Sequence, residues 1–206
     1  MRMSKKIITI ARQYGSGGRE IGRMLADMCG YEFYDNNLIT MSAKKIGMDE
    51  GKLTDADEKI PNSLLYTLAV GSSMYGSVVN PNFQPINDKL FLAQSEVIED
   101  IAKGEQGAVI VGRCADHVLE GRDDVLHVYL YADFDYRVDE LCRKYGISKS
   151  EAKSRVMKTD KRRANYYNYY TGKKWGKMEN YDLSIATDGK THEEICQMIK
   201  LFAGIK

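Results

Sequence analysis

The stretch that most constrains this chain is Ile7 to Gly22, IITIARQYGSGGREIG, where a β-branched apolar run breaks into glycines and then into a helical pattern. Ile7 to Ala11 carries no charge, which suits a strand buried on both faces of a parallel sheet. Gly15, Gly17 and Gly18 allow a tight turn, and Ile21, Met24, Leu25 and Met28 then recur at helical spacing. The first N–H groups of a helix begun at these glycines have no intrahelical acceptor, and the helix dipole adds positive charge there. An anion at that point gains several hydrogen bonds together, and phosphate is the anion that fits. The plain alternative is an ordinary turn between strand and helix whose glycines serve geometry alone.

Set against the phosphate-loop pattern G-x-x-x-x-G-K-[ST], Arg19 stands in the Lys position and Glu20 in the hydroxyl position. Arg19 can supply the cation, chelating phosphate oxygens through a planar fork where Lys would act as a point charge. Glu20 removes the usual magnesium-binding hydroxyl, which leaves Ser16 or a carboxylate as the oxygen donor, so the metal ligands stay unassigned. A dinucleotide fingerprint fits in half. Gly15 and Gly17 give G-x-G and Asp35 follows at the end of a second strand, but the third glycine position holds Glu20.

At 206 residues, 43% hydrophobic and 29% charged, the chain can bury one core. No segment reaches the about 20 apolar residues of a membrane span and no apolar leader opens the sequence, which predicts a cytoplasmic protein. Cys29, Cys114, Cys142 and Cys196 form no C-x-x-C pair, and His117, His127 and His192 match no metal or nucleophile spacing, so no chemistry is assigned to them. Charge is unevenly placed. Arg137 to Lys177 holds thirteen Lys and Arg against four Asp and Glu, net +9, which leaves −8 for the remainder. Such a segment covers an anionic ligand or is a solvated helix face.

Further strands are predicted at 31–34, 107–111, 125–131 and 181–186, and helices at 36–46, 62–70 and 86–103, with a turn-rich loop over 71–85. Asp133 is a candidate N-cap, and Ser148 with Glu151 and Thr191 with Glu194 form S/T-x-x-E boxes. Strands alternating with helices specify a parallel sheet between helical layers, whose ligands collect at the carboxyl ends of the strands. Tyr34 and Asp35 are therefore expected to face the same crevice as the glycine loop, and Arg113 adds a cation at another strand end. Tyr166, Tyr167, Tyr169 and Tyr170, beside Trp175, either stack on a base or pack a helix against the core.

Taken together, ARQYGSGGREIG, FYDNNLI, VIVGRCA, DKRRANYYNYYTGKKWG and NYDLSIATD resemble the cytidylate kinase-like family of bacterial P-loop proteins over nearly the whole chain. The resemblance implies one α/β domain, a three-layer sandwich around a five-stranded parallel sheet. It also implies an acceptor-binding insertion with a long helix over 36–104, and a lid over 149–180. It implies ATP and Mg2+ as cofactors and a nucleoside monophosphate, CMP foremost, as acceptor. By position, Gly15, Ser16, Gly17, Gly18, Arg19 and Glu20 would hold the donor phosphates, and Tyr34, Asp35 and Arg113 the acceptor. Arg19, Arg137, Arg162 and Arg163 would act on the transferring phosphoryl group. A non-catalytic nucleotide-binding protein is the alternative, with a single-stranded nucleic-acid binder and a dehydrogenase behind it. The partners expected are small nucleotides rather than nucleic acid or membrane, and the oligomeric state is not specified.

Overall fold

The computed structural model describes residues 5–47 and 86–205; the helix expected over 62–70 and the loop over 71–85 lie outside them. Five strands form one all-parallel sheet in the order β2-β3-β1-β4-β5. They are β1 (Ile7–Arg12), β2 (Glu32–Tyr34), β3 (Ala108–Val111), β4 (Val125–Tyr131) and β5 (Leu183–Ala186). β1 lies at the centre, with Ile7–Ile10 paired to Ala108–Val111 on one side and Ile7–Arg12 to Val125–Leu130 on the other. Ile7 to Ala11 are all buried, as a two-sided strand requires.

Alternation along β1 divides the core between the two faces. Ile8 and Ile10 pack with Ile21 and Leu25 of α1 (Gly18–Cys29) and with Ile195 and Ile199 of α7 (His192–Ala203). Ile7 faces Leu38 of α2 (Asn37–Lys45), Ile98 of α3 (Ile86–Lys103) and Ala115 of the single turn α4 (Ala115–Val118). Two helices connect β4 to β5: α5 (Phe134–Tyr145) and the 23-residue α6 (Lys149–Thr171). The three-layer α/β sandwich inferred from the sequence is the fold observed.

Local signals set the helix ends. Asp133 caps α5 by accepting from the Asp135 and Tyr136 amides. Thr191 and Glu194 form a complete capping box on α7, whereas Ser148 makes one half of a box by accepting from the Glu151 amide. The tyrosine run packs. Tyr166 and Tyr167 are buried, Tyr170 stacks on Phe91 of α3 with ring centroids 4.1 Å apart, and Trp175 sits edge-on to Tyr129. No helix among the described residues is long and apolar enough to cross a membrane.

Candidate active site

A cleft of about 490 Å³ opens where β1 and β2 end and α1 begins. Its floor is the glycine loop. Gly17 adopts a left-handed φ of 74° and no side chain caps α1, so the helix presents its N-terminal backbone to the cleft. Ser16 is buried and does not line the cleft; its hydroxyl donates to the Gln13 carbonyl at 2.9 Å, bracing the loop from beneath.

Cations surround that backbone. Arg12, the last residue of β1, lines the cleft with a guanidinium that lies over the end of β3. Two glycines clear its path: a Cβ on Gly18 would come 2.7 Å from Arg12 Cβ, and one on Gly112 would come 2.1 Å from its Nη1. Arg12 Nη2 lies 3.8 Å from Asp35 Oδ1, and Arg19 Nε forms an ion pair with Asp35 Oδ2 at 2.7 Å. Asp35 is 4% exposed whereas the Arg19 side chain is 60% exposed, so a buried carboxylate holds an exposed cation beside the loop.

Opposite, α5 supplies Arg143 and Lys144, and α6 supplies Arg162 and Arg163. Lys144 donates to Glu20 across the cleft. Burial pushes the Glu20 carboxyl up, but the Lys144 hydrogen bond and the residue's own backbone N–H outweigh it and hold the group below the usual range. Arg163 donates to the Arg12 carbonyl at 3.0 Å, and its guanidinium lies over the Tyr14 ring. The +9 segment is thus divided, with four of its cations on the cleft and others, such as Lys149 and Arg155, in exposed pairs.

The structure brings Gly15, Gly17, Gly18, Arg19, Glu20, Asp35, Arg162 and Arg163 to one cleft. It does not bring four others there: Ser16, braced beneath the loop, and Arg137, Tyr34 and Arg113. Arg137 is 5% exposed and turned inward, donating to the carbonyls of Ala132 and Tyr14 and to Asp160, so it meets the loop from behind instead of closing over the cleft. Tyr34 is the last residue of β2 and packs on the face of Leu38 and Ile98, its hydroxyl donating to Glu32. Arg113 is 8% exposed, has a positive φ of 59°, and lies outside the cleft lining.

Sequence reasoning passed over Arg12, Lys144 and His192. Arg12 did carry a signal, a charge closing an apolar central strand immediately before the glycine loop. Lys144 was hidden among twelve other cations of the basic segment. His192, the first residue of α7, reaches the loop at Gly17, an approach that only the tertiary fold creates. Among the described residues no cluster of three or more His, Cys, Asp or Glu side chains could hold a metal ion.

Comparison with known proteins identifies the lineage. The sequence pattern of the cytidylate kinase-like family matches residues 7–189. The chain belongs to that family. A cytidylate kinase from Methanopyrus kandleri is 23% identical over 195 residues, 94% of this chain and 91% of that protein. A Corynebacterium glutamicum protein named uronate isomerase is 27% identical over 138 residues, 67% of this chain but only 26% of that protein. The chain therefore spans about a quarter of that relative's length.

Among solved structures, an uncharacterized protein from Eubacterium ventriosum superposes with a TM-score of 0.70 at 21% identity, covering 98% of this chain and 100% of that one. Shikimate kinase from Bacteroides thetaiotaomicron gives 0.53 at 14% identity, covering 97% and 98%. These likenesses show a shared P-loop kinase fold. Family and fold together support phosphoryl transfer and nucleotide use by this cytidylate kinase-like protein.

Proposed function

We propose that the protein transfers the γ-phosphoryl group of ATP to a small phosphorylated acceptor, a nucleoside monophosphate such as CMP, in the cytoplasm. The observation that carries this reading is the cleft itself, an uncapped helix N-terminus ringed by Arg12, Arg19, Lys144, Arg162 and Arg163. Phosphoryl transfer needs little covalent chemistry from the protein. Its transition state spreads negative charge over equatorial oxygens, so catalysis consists mainly of alignment and cations.

In this reading the backbone of Gly15–Arg19 holds the donor phosphates. An acceptor phosphate oxygen attacks the γ-phosphorus, the bond to the bridging oxygen breaks, and ADP leaves. Arg162 and Arg163 stabilise the charge that develops. Residues 36–104 form the acceptor insertion, with Asp35 at its entrance, and 149–180 form the lid. Magnesium in such sites takes one or two carboxylates, with phosphate and water oxygens completing its shell, a demand that Asp35 and Glu20 suit. Held there, the ion would offset phosphate charge. An anion arriving at the loop competes with Asp35 for Arg19, so Arg19 is expected to swing from carboxylate to phosphate on donor binding.

The test is magnesium-dependent ADP formation from ATP with CMP, dCMP, UMP, AMP, GMP and small alcohol acceptors offered in parallel, on wild type and Arg19→Ala. CMP-dependent turnover that falls in the variant supports the reading. Turnover with an alcohol alone would move the acceptor class. ATP binding without turnover would favour the non-catalytic alternative, for which the Arg19–Asp35 pair is the supporting observation.

A further inference from the structure

The backbone of Tyr14 is gripped at both of its polar atoms by one buried ion pair. Asp160 Oδ1 of α6 accepts from the Tyr14 amide at 2.8 Å, and Arg137 Nη1 of α5 donates to the Tyr14 carbonyl at 3.1 Å. The two side chains meet each other through Nη1 and Oδ2 at 2.6 Å, exposed by 7% and 17%, and Arg137 Nε is fixed on the Ala132 carbonyl at 3.1 Å. Tyr14 immediately precedes the glycines, and its ring packs with Val138, Leu141, Ala152 and Val156 between the same two helices.

A glycine-rich loop has large conformational freedom, and a phosphate must supply the ordering entropy unless something else has already fixed the backbone. Burying an ion pair is costly, and packing two apolar side chains between α5 and α6 would serve stability as well or better. The pair instead uses its hydrogen-bonding capacity on both backbone groups of Tyr14.

From this we propose that Asp160, acting with Arg137, is a positioning residue that preorganises the phosphate loop. It ties the loop's geometry to the seating of α6, the same helix that carries Arg162 and Arg163 into the cleft. Donor binding and the placement of those arginines are thereby coupled through Tyr14. The inference rests on the phosphoryl-transfer reading for its consequence, but not for its geometry.

Four proteins test it: wild type, Asp160→Ala, Asp160→Asn and the double variant Arg137→Met/Asp160→Ala. Three readouts are needed: thermal stability, affinity for ATP and for inorganic pyrophosphate by calorimetry, and hydrogen exchange at the Tyr14 amide. Losing hydrogen bonds to a charged group, Asp160→Ala should weaken pyrophosphate binding by about ten- to a hundredfold and speed Tyr14 exchange by a similar factor. Asp160→Asn keeps an acceptor for the Tyr14 amide and should recover part of both.

The double variant separates positioning from structure. Without a stranded buried charge its thermal stability should return toward wild type, whereas its pyrophosphate affinity and Tyr14 protection should stay low. Wild-type affinity in Asp160→Ala, or affinity that recovers with stability in the double variant, would overturn the proposal. If the alanine variant does not fold, Asp160→Asn decides by the same readouts. If the wild type binds neither ATP nor pyrophosphate, the donor reading fails, and Tyr14 exchange alone still decides whether the clamp orders the loop.

Discussion

The two halves of α6 do different work with different chemistry. The first half, through Arg163, is charged: Asp160 holds Tyr14, and Arg162 and Arg163 line the cleft. The second half is aromatic and turns away from the cleft, Tyr167 donating to the buried Asp116 at 2.7 Å and Tyr170 to Asp88 of α3 at 2.9 Å. A helix that places several cations on one cleft must be held against their mutual repulsion. The aromatic half adds area and hydrogen bonds that salt does not screen to the packing of Ala152 and Val156 at the other end. One helix thus carries its cleft-facing charge and its aromatic anchor on separate stretches.

The sharpest way to break this comparison is to strip the charged half. Arg162→Ala/Arg163→Ala should lower phosphoryl transfer by about a thousandfold or more while leaving the melting temperature close to wild type, read by coupled ADP assay and calorimetry. A large loss of stability with it would mean that the arginines attach the helix as well.

Tyr167→Phe should act in the opposite sense, destabilising by about 1 to 3 kcal/mol because Asp116 loses its partner in a buried site, with turnover at saturating substrate nearly unchanged. Chemical denaturation checks the first part and steady-state kinetics the second. Turnover that falls as far as in the arginine variant would erase the division.

Asp116 gives that attachment a pH dependence. Burial raises its carboxyl above the ordinary Asp range, against the pull of the Tyr167 hydrogen bond. The folded state then holds the proton more tightly than the unfolded state. The resulting stability is complete below the ordinary value of about 4 and is lost as pH rises through the raised one. Asp116→Asn should flatten that part of the stability profile, measured by denaturant melts across pH. Tyr170→Phe is the mildest change, costing about 1 kcal/mol at a half-exposed site, and its effect should add to that of Tyr167→Phe only if the two tethers act independently.

The sheet was readable because its signals are local. The runs IITIA, AVIV and VLHVYLY are apolar at consecutive positions, and each forms a parallel strand within a residue of where the sequence places it. Asp35 was readable as well, since the carboxyl end of a parallel strand is where ligands gather. The face of Tyr34 was available from the same alternation, because Phe33 packs with the α1 cluster and its neighbour must point the other way.

The basic segment was a different matter. A count of charges says that thirteen cations lie in one stretch, but Arg137 and Arg162 have the same chemistry and opposite surroundings, one inside and one on the cleft. Only the crossing of α5 over α6 decides which is which. Asp160 was invisible for the same reason, being one of four acids in a basic run until its distance to Tyr14 is known.

The central place of β1 has a consequence for how the chain comes into being. β1 lies about a hundred residues ahead of its neighbours at Ala108–Val111 and Val125–Leu130 in the chain. The nascent glycine loop must wait, its strand unpaired and apolar, until β3 and β4 have been synthesised. Asp160 emerges later still, so the glycine loop is made well before the contacts that complete it. Slow translation through the intervening residues therefore lengthens the interval in which Ile7–Ala11 is open to chaperones or to pairing with another chain.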